Sequence, residues 1–369
     1  MNQDRDIPHG AAATGRRSNA SVARDRRPGR LAVWLLMLVV SVAAATTVAR
    51  AAAAPSQPRP ATVPVFGASG GSGEATSDAP APPPSFAVGL RVLRLVDRSR
   101  TIRLKGRSPE PRTLVTYVRY PALGAPGQTD IPNAGPASAG GPYPLVVFGH
   151  GFAVTPQLYA PLLQSWARAG YVVAAPVFPL GNADAPGGPD EADVINQPSD
   201  MSFVISSLLS LSRPGAGPLA GLVDSAQIAV AGHSDGGETA LAVAYSRRFH
   251  DPRVSAAVIL SGAEMSGVGG YRFTQGSPPL LAAQGTADIF NEPRYTNAYF
   301  KLAQRPKFLL RLLGAGHLPP YTYQQPQLAI VERVTIAFLD RYLKHQSGAL
   351  QRLVSLGGGT GTSALLAEP

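Results

Sequence analysis

QIAVAGHSDGGETALAVAYSRR, residues 227–248, is the stretch on which the fold turns. QIAVA is a short apolar run of the kind that forms a strand buried on both faces. Gly232, Ser234 and Gly236 follow in the pattern G-x-S-x-G, and ETALAVAYSRR continues without Gly or Pro as an Ala-rich helix. A strand, a sharp turn and a helix lift a serine above the end of a sheet on strained backbone, and the glycines relieve the crowding on either side. The hydroxyl is then expected at a helix N-terminus, whose amides face a developing negative charge. A second match, Gly67 to Gly71 around Ser69, has no strand before it and no helix after it, and is discounted.

A serine needs a base, and the base needs an orienting acid. PLLAAQGTAD, residues 279–288, puts Asp288 just after an apolar run, and KFLLRLLGAGH, residues 307–317, ends on His317 in a Gly-flanked loop. Of the six histidines, at 9, 150, 233, 250, 317 and 345, His317 alone follows the last strand candidate in such a loop. Ser234 is the expected nucleophile, His317 the base and Asp288 the acid, with Glu264, after SAAVILSGA, as the alternative acid. PLVVFGHGF, residues 144–152, places His150-Gly151-Phe152 after an early strand. The backbone N–H groups of Phe152 and Asp235 are the expected oxyanion donors. His150 and His233 read as structural histidines beside the turn, and their spacing with Asp235 matches no zinc pattern.

Around these motifs, apolar runs at 113–120, 144–149, 171–177, 227–232, 255–261, 279–285 and 307–313 alternate with helix-period segments. Tyr159, Leu162, Leu163 and Trp166 share one stripe, and Met201, Val204, Ile205, Leu208 and Leu209 another, with Ser199 or Asp200 as the expected cap. The pattern is that of an α/β protein with a parallel sheet covered by helices. On FGHGF at 148–152, GHSDGG at 232–237, GTAD at 285–288 and GAGH at 314–317, the chain resembles the α/β-hydrolase superfamily. Within it, the resemblance is to the esterase-like branch of dienelactone hydrolases, chlorophyllases and platelet-activating-factor acetylhydrolases, and RTLVTYVRYPA at 112–122 looks like its opening strands.

The resemblance covers about 87–345 and implies an α/β-hydrolase fold, a mostly parallel central sheet with helices on both faces. It also implies cofactor-free hydrolysis of carboxylic esters through an acyl-enzyme, on a small-molecule or lipid-like ester. A lipase or an amidase/peptidase on the same triad, and a non-catalytic envelope binding protein, are the alternatives. Asp235 stands where many relatives carry an apolar residue or Gln, and it is expected to turn away from the site.

The 369 residues carry a net charge of +10, but seven Arg against three Asp crowd into residues 1–30. The rest has no dense basic stripe with interleaved aromatics, which argues against nucleic acid as a partner. LAVWLLMLVVSVAAATTVA, residues 31–49, is uncharged and apolar behind that basic start. Residues 1–53 therefore read as a leader plus signal peptide or membrane anchor, which puts the remainder outside the cytoplasm, secreted or anchored, with membrane contact through this segment only. Residues 54–86, rich in Pro, Gly and Ser, read as a linker, 87–345 as the hydrolase domain and 346–369 as a mobile tail in which LQRLVSL could dock as a short helix. Cysteine is absent, so neither disulfides nor thiolate metal sites are available, and no metal is expected. Asp184, Asp190, Glu191 and Asp193 read as a solvated loop or, with GVGGYRF at 267–273, as a rim of the pocket.

Overall fold

The structure, a computed structural model, describes residues 85–265, 267–358 and 361–369. The leader, the apolar stretch 31–49, the linker up to residue 84 and the discounted Ser69 lie outside the described residues. Among the described residues there are ten strands: β1 (Ala87–Ile102), β2 (Glu110–Ala122), β3 (Asp130–Pro132), β4 (Tyr143–Gly149), β5 (Val172–Pro176), β6 (Val223–His233), β7 (Ala256–Leu260), β8 (Leu280–Gly285), β9 (Lys307–Leu312) and β10 (Ser363–Glu368). They form one sheet in the order β10-β9-β8-β7-β6-β4-β5-β2-β1-β3. The six from β4 to β9 run parallel, whereas β2 lies antiparallel to β1 and β5, and β10 antiparallel to β9.

Strand periodicity splits the apolar runs between two layers. Leu145, Val147, Ile228, Val230, Ala257 and Ile259 face helices α2 (Gln197–Leu211), α3 (Asp235–Tyr245) and α4 (Pro293–Leu302), meeting Met201, Val204, Ile205 and Leu208 among others. Their neighbours Val146, Phe148, Ala229, Ala231, Val258 and Leu260 face the other way. There they pack with Leu162, Leu163 and Trp166 of α1 (Ala160–Arg168), Val331, Val334 and Phe338 of α5 (Gln327–Tyr342) and Leu353 of α6 (Ala349–Gly357). Helices therefore cover both faces, and the parallel strands are buried on both, which is why they read as unbroken apolar runs.

Four local expectations are corrected. β1 was not among the apolar runs because Arg91, Arg94, Asp97 and Arg98 interrupt it; it is held by its long antiparallel register with β2, from Ala87 opposite Ala122 to Asp97 opposite Arg112. Helix α2 begins at Gln197, so Ser199 and Asp200 lie inside its first turn and cap nothing. The acidic loop is not wholly solvated: its Asp193 is buried and, with the buried Asp200 of α2, pairs with the buried Arg112 at 2.6 and 2.7 Å. A guanidinium taken out of water needs such partners. Burial works against its charge, but the hydrogen bonds and charges of Asp200 and Asp193 hold the Arg112 pKa above its ordinary value.

The fourth concerns the tail, which is ordered by packing. The expected docking helix is α6, whose Leu353 is buried against α5, and β10 extends the sheet by pairing Ser363 with Leu312 through Glu368 with Lys307. Gly357 lets the two segments meet, since a Cβ there would stand 2.8 Å from the Leu365 Cβ. Of the proposed rim, Val268 is buried with Val194 and Ala242 at the flank of α3.

Candidate active site

β4 and β6 run side by side with Gly149 opposite Gly232, so the loops leaving both strands emerge at one level. From β6 the chain turns at Ser234, with φ 54° and ψ −124°, and enters α3 at Asp235. That positive φ is a strained backbone for a non-glycine residue. Both glycines of the motif are required by close approach: a Cβ on Gly232 would collide with the Gly236 carbonyl, and one on Gly236 with the Gly149 carbonyl. The Ser234 N–H is held by the Leu260 carbonyl of β7 at 3.0 Å. The turn is thus wedged between two neighbouring strands, and the strain is supported from both sides.

The structure brings Ser234, His317 and Asp288 together. His317 Nε2 is 2.9 Å from Ser234 Oγ, and His317 Nδ1 is 2.7 Å from Asp288 Oδ2. With Nδ1–H donating to the carboxylate, Nε2 is left to accept from the serine hydroxyl. All three are buried, with only 2–3% of each residue exposed. The loops that carry acid and base are laced together: Ala287 N–H donates to the Ala315 carbonyl at 2.9 Å and Gly314 N–H to Thr286 Oγ1 at 2.8 Å. Gly285 permits this, because a Cβ there would run into the Ala315 and Gly316 carbonyls.

Asp288 is held on both oxygens. Oδ1 accepts from Phe290 N–H at 2.9 Å and Asn291 N–H at 3.0 Å, and Oδ2 accepts from Gln284 Nε2 at 3.2 Å besides the imidazole. Gln284 is itself fixed by Thr296 Oγ1, which donates to its Oε1 at 2.6 Å. Glu264, the alternative acid, is exposed and accepts from Gly270 N–H at 2.8 Å; it is not brought to His317.

Phe152 and Asp235 are the residues that follow the ends of β4 and β6 on either side of Ser234. The Phe152 loop is close to the serine, since a Cβ on Gly151 would be 3.3 Å from the Ser234 Cβ. It is also well anchored: Ala153 N–H donates to the Gly181 carbonyl at 2.8 Å, and Phe178 N–H to His150 Nε2 at 3.0 Å. The Asp235 side chain, expected to turn away from the site, is buried in the first turn of α3. Burial, and to a lesser degree the Asp235 charge, pushes the Tyr159 hydroxyl above its ordinary pKa.

His150 and His233 are both buried and hydrogen-bonded. Burial pulls the His150 pKa down to about 4, and burial with the nearby His317 holds His233 well below the usual histidine range. Both ring nitrogens of each are within 3.0 Å of a partner in the chain, which leaves neither histidine a lone pair directed at a metal. Among the described residues no group of three His, Cys, Asp or Glu side chains is placed to hold a metal ion. The rim beside the acid is apolar: Ile289 is 75% exposed, and the Phe290 ring lies 5.4 Å from the His317 ring.

Two contributors escaped the sequence reading. Tyr159 counted only as part of an apolar stripe, although its hydroxyl contacts His233 at 2.8 Å. Gln284 counted only as part of a strand; an amide inside a buried apolar run was the available signal, because such a group must find partners.

The family model described as Chlorophyllase matches residues 131–287. It takes in the loop at Phe152 and the turn at Ser234, and stops one residue before Asp288. Among solved structures, the ferulic acid esterase from Streptomyces cinnamoneus is similar at a TM-score of 0.53 and 24% identity, over 73% of this chain and 93% of that one. No curated protein matches the chain. The fold is that of the α/β-hydrolases, with its resemblance in their esterase-like branch.

Proposed function

We propose that this α/β-hydrolase-fold chain is a serine hydrolase that cleaves carboxylic esters through an acyl-enzyme on Ser234. The observation that carries the reading is the buried chain Ser234 Oγ, His317 Nε2, His317 Nδ1 and Asp288 Oδ2, with contacts of 2.9 and 2.7 Å. The Chlorophyllase match supports an esterase rather than another chemistry on this scaffold.

Ser234 Oγ attacks the ester carbonyl as His317 Nε2 takes its proton, and Asp288 stabilises the imidazolium that forms. The tetrahedral oxyanion faces the N–H groups of Phe152 and Asp235, at the mouth of the turn and the N-terminus of α3. Collapse breaks the bond to the alkoxy oxygen, which receives the proton from His317 Nε2. A water molecule, deprotonated by the same nitrogen, then attacks the acyl carbonyl and frees Ser234. The exposed Ile289 and the Phe290 ring present an apolar wall to the substrate.

A fluorophosphonate probe is expected to label the protein at Ser234, and labelling and turnover of p-nitrophenyl esters are both expected to vanish in Ser234→Ala. Folded wild-type protein that takes up no probe would refute the reading. A panel of p-nitrophenyl esters of increasing acyl length reports the size of acyl group accepted. The proposal places the domain outside the cytoplasm, secreted or anchored, on the strength of residues 31–49 behind a basic start. Mass spectrometry of the mature N-terminus distinguishes cleavage near Ala51 to Ala54 from an intact anchor.

A further inference from the structure

We propose that Tyr159 and His233 form a positioning clamp that ties the oxyanion loop to the loop of the base. The inference rests on Ser234 being the nucleophile, and it assigns work to two buried side chains that the triad does not use. Gly151 N–H lies 3.3 Å from Tyr159 Oη, Tyr159 Oη lies 2.8 Å from His233 Nδ1, and His233 Nε2 lies 2.9 Å from the carbonyl oxygen of His317. The direction of every bond in this chain is determined. A carbonyl can only accept, so the His233 proton is on Nε2 and its Nδ1 carries a lone pair. Tyr159 must then donate to Nδ1, and its oxygen accepts from Gly151 N–H.

Each end of the chain reaches the backbone of a reacting group. Gly151 directly precedes Phe152, whose N–H faces the oxyanion, and the His317 carbonyl belongs to the residue whose Nε2 meets Ser234 Oγ. Packing reinforces the bonds: the rings of His233 and His317 are 4.6 Å apart, and the Tyr159 ring is 4.9 Å from Phe148 of β4. Glycine at 151 leaves room for the clamp, since a Cβ there would press to within 3.2 Å of both His233 Nδ1 and Tyr159 Oη. His233 precedes the nucleophile in sequence, so one side chain registers the oxyanion donor, the nucleophile and the base against one another. Small displacements of such groups are costly, because donors and base act only at the geometry the transition state requires.

Tyr159→Phe removes the hydroxyl and keeps the ring. The clamp predicts that kcat on a p-nitrophenyl ester and the rate of fluorophosphonate labelling both fall about tenfold, with KM within about twofold and Tm within a few degrees. His233→Gln retains a far donor for the His317 carbonyl and loses the acceptor for Tyr159. His233→Asn retains the near acceptor and falls short of His317. Each is expected to lose about as much as Tyr159→Phe, and Tyr159→Phe combined with His233→Gln no more than either alone, because links of one chain fail together. A folded Tyr159→Phe with wild-type kcat overturns the clamp, as does a double variant whose losses multiply. Should Tyr159→Phe not fold, the two His233 variants decide by the same criteria. Wild-type protein that is never labelled refutes the Ser234 reading instead, so the two failures are distinguishable.

Discussion

The triad and the Arg112 cluster are both buried and both hold carboxylates, but they hold them with different partners. Asp288 is surrounded by neutral donors: two backbone N–H groups, the Gln284 amide and the His317 imidazole. Asp193 and Asp200 face a permanent cation, the Arg112 guanidinium, and Arg100 adds a second contact to Asp200 at 2.8 Å. In the Arg112 cluster both carboxylates are already paired with a permanent cation in the resting protein. In the proposed triad the carboxylate is solvated by dipoles that do not neutralise it, which suits it to stabilise a positive charge on His317 in the transition state of the proposed reaction. The proposed function assigns stability to one cluster and chemistry to the other, and variants can separate them.

The largest separation is expected at Asp288. Asp288→Asn should lower kcat on a soluble ester by about three to four orders of magnitude, since it removes the charge and favours the wrong imidazole tautomer. The folded state, followed by circular dichroism, should survive. Arg112→Met should do the reverse. Leaving the buried Asp193 without its cation, and Asp200 with Arg100 alone, costs about 3–5 kcal/mol, read as a lowered urea midpoint, while protein that remains folded keeps its labelling by fluorophosphonate. Loss of labelling in folded Arg112→Met at unchanged stability would break the comparison.

Acid should act through the buried imidazoles. His150 sits at about 4 in the folded chain against an ordinary 6.5, with Nε2 committed to accepting from Phe178 N–H. Between those values the unfolded chain binds a proton that the folded chain does not. Stability is therefore complete above about pH 6.5 and falls as the pH drops towards 4, by on the order of 3 kcal/mol from this group. Urea unfolding at a series of pH values should show that slope, with His233 adding to it in the same direction. His150→Asn should be less stable at neutral pH but flatter by about one proton.

The smallest effect expected is that of Gln284→Met. It removes one of the neutral donors to Asp288 and leaves Phe290 and Asn291 N–H in place, so kcat should fall about tenfold with KM little changed. A loss as large as that of Asp288→Asn would mean that the amide, and not the backbone pair, fixes the acid.

The legible parts of the fold were those written locally. The parallel strands announced themselves because burial on both faces demands unbroken apolar runs, and Ser234 because its turn demands glycine at 232 and 236. β1 was hidden by its interspersed arginines and β10 by its place in a Gly-rich tail, since their stability comes from pairing with β2 and β9. The acidic residues of the loop after β5 offered no local sign that Asp193 would be buried, because its partner lies 81 residues earlier in the chain.

By itself the sequence determined the strand, turn and helix at Ser234, the order in which Ser234, Asp288 and His317 follow their strands, and the two-layered packing of the sheet, all of which depend on period and on neighbours a few residues away. Only the tertiary structure decided that Asp288 and not Glu264 meets His317, that Arg112 is enclosed by two carboxylates, and that His233 joins Tyr159 to the His317 carbonyl. These contacts cross 29 to 88 residues of chain. Their physical basis is the cost of leaving a buried polar group without a partner, which is settled only when the strands and helices have packed.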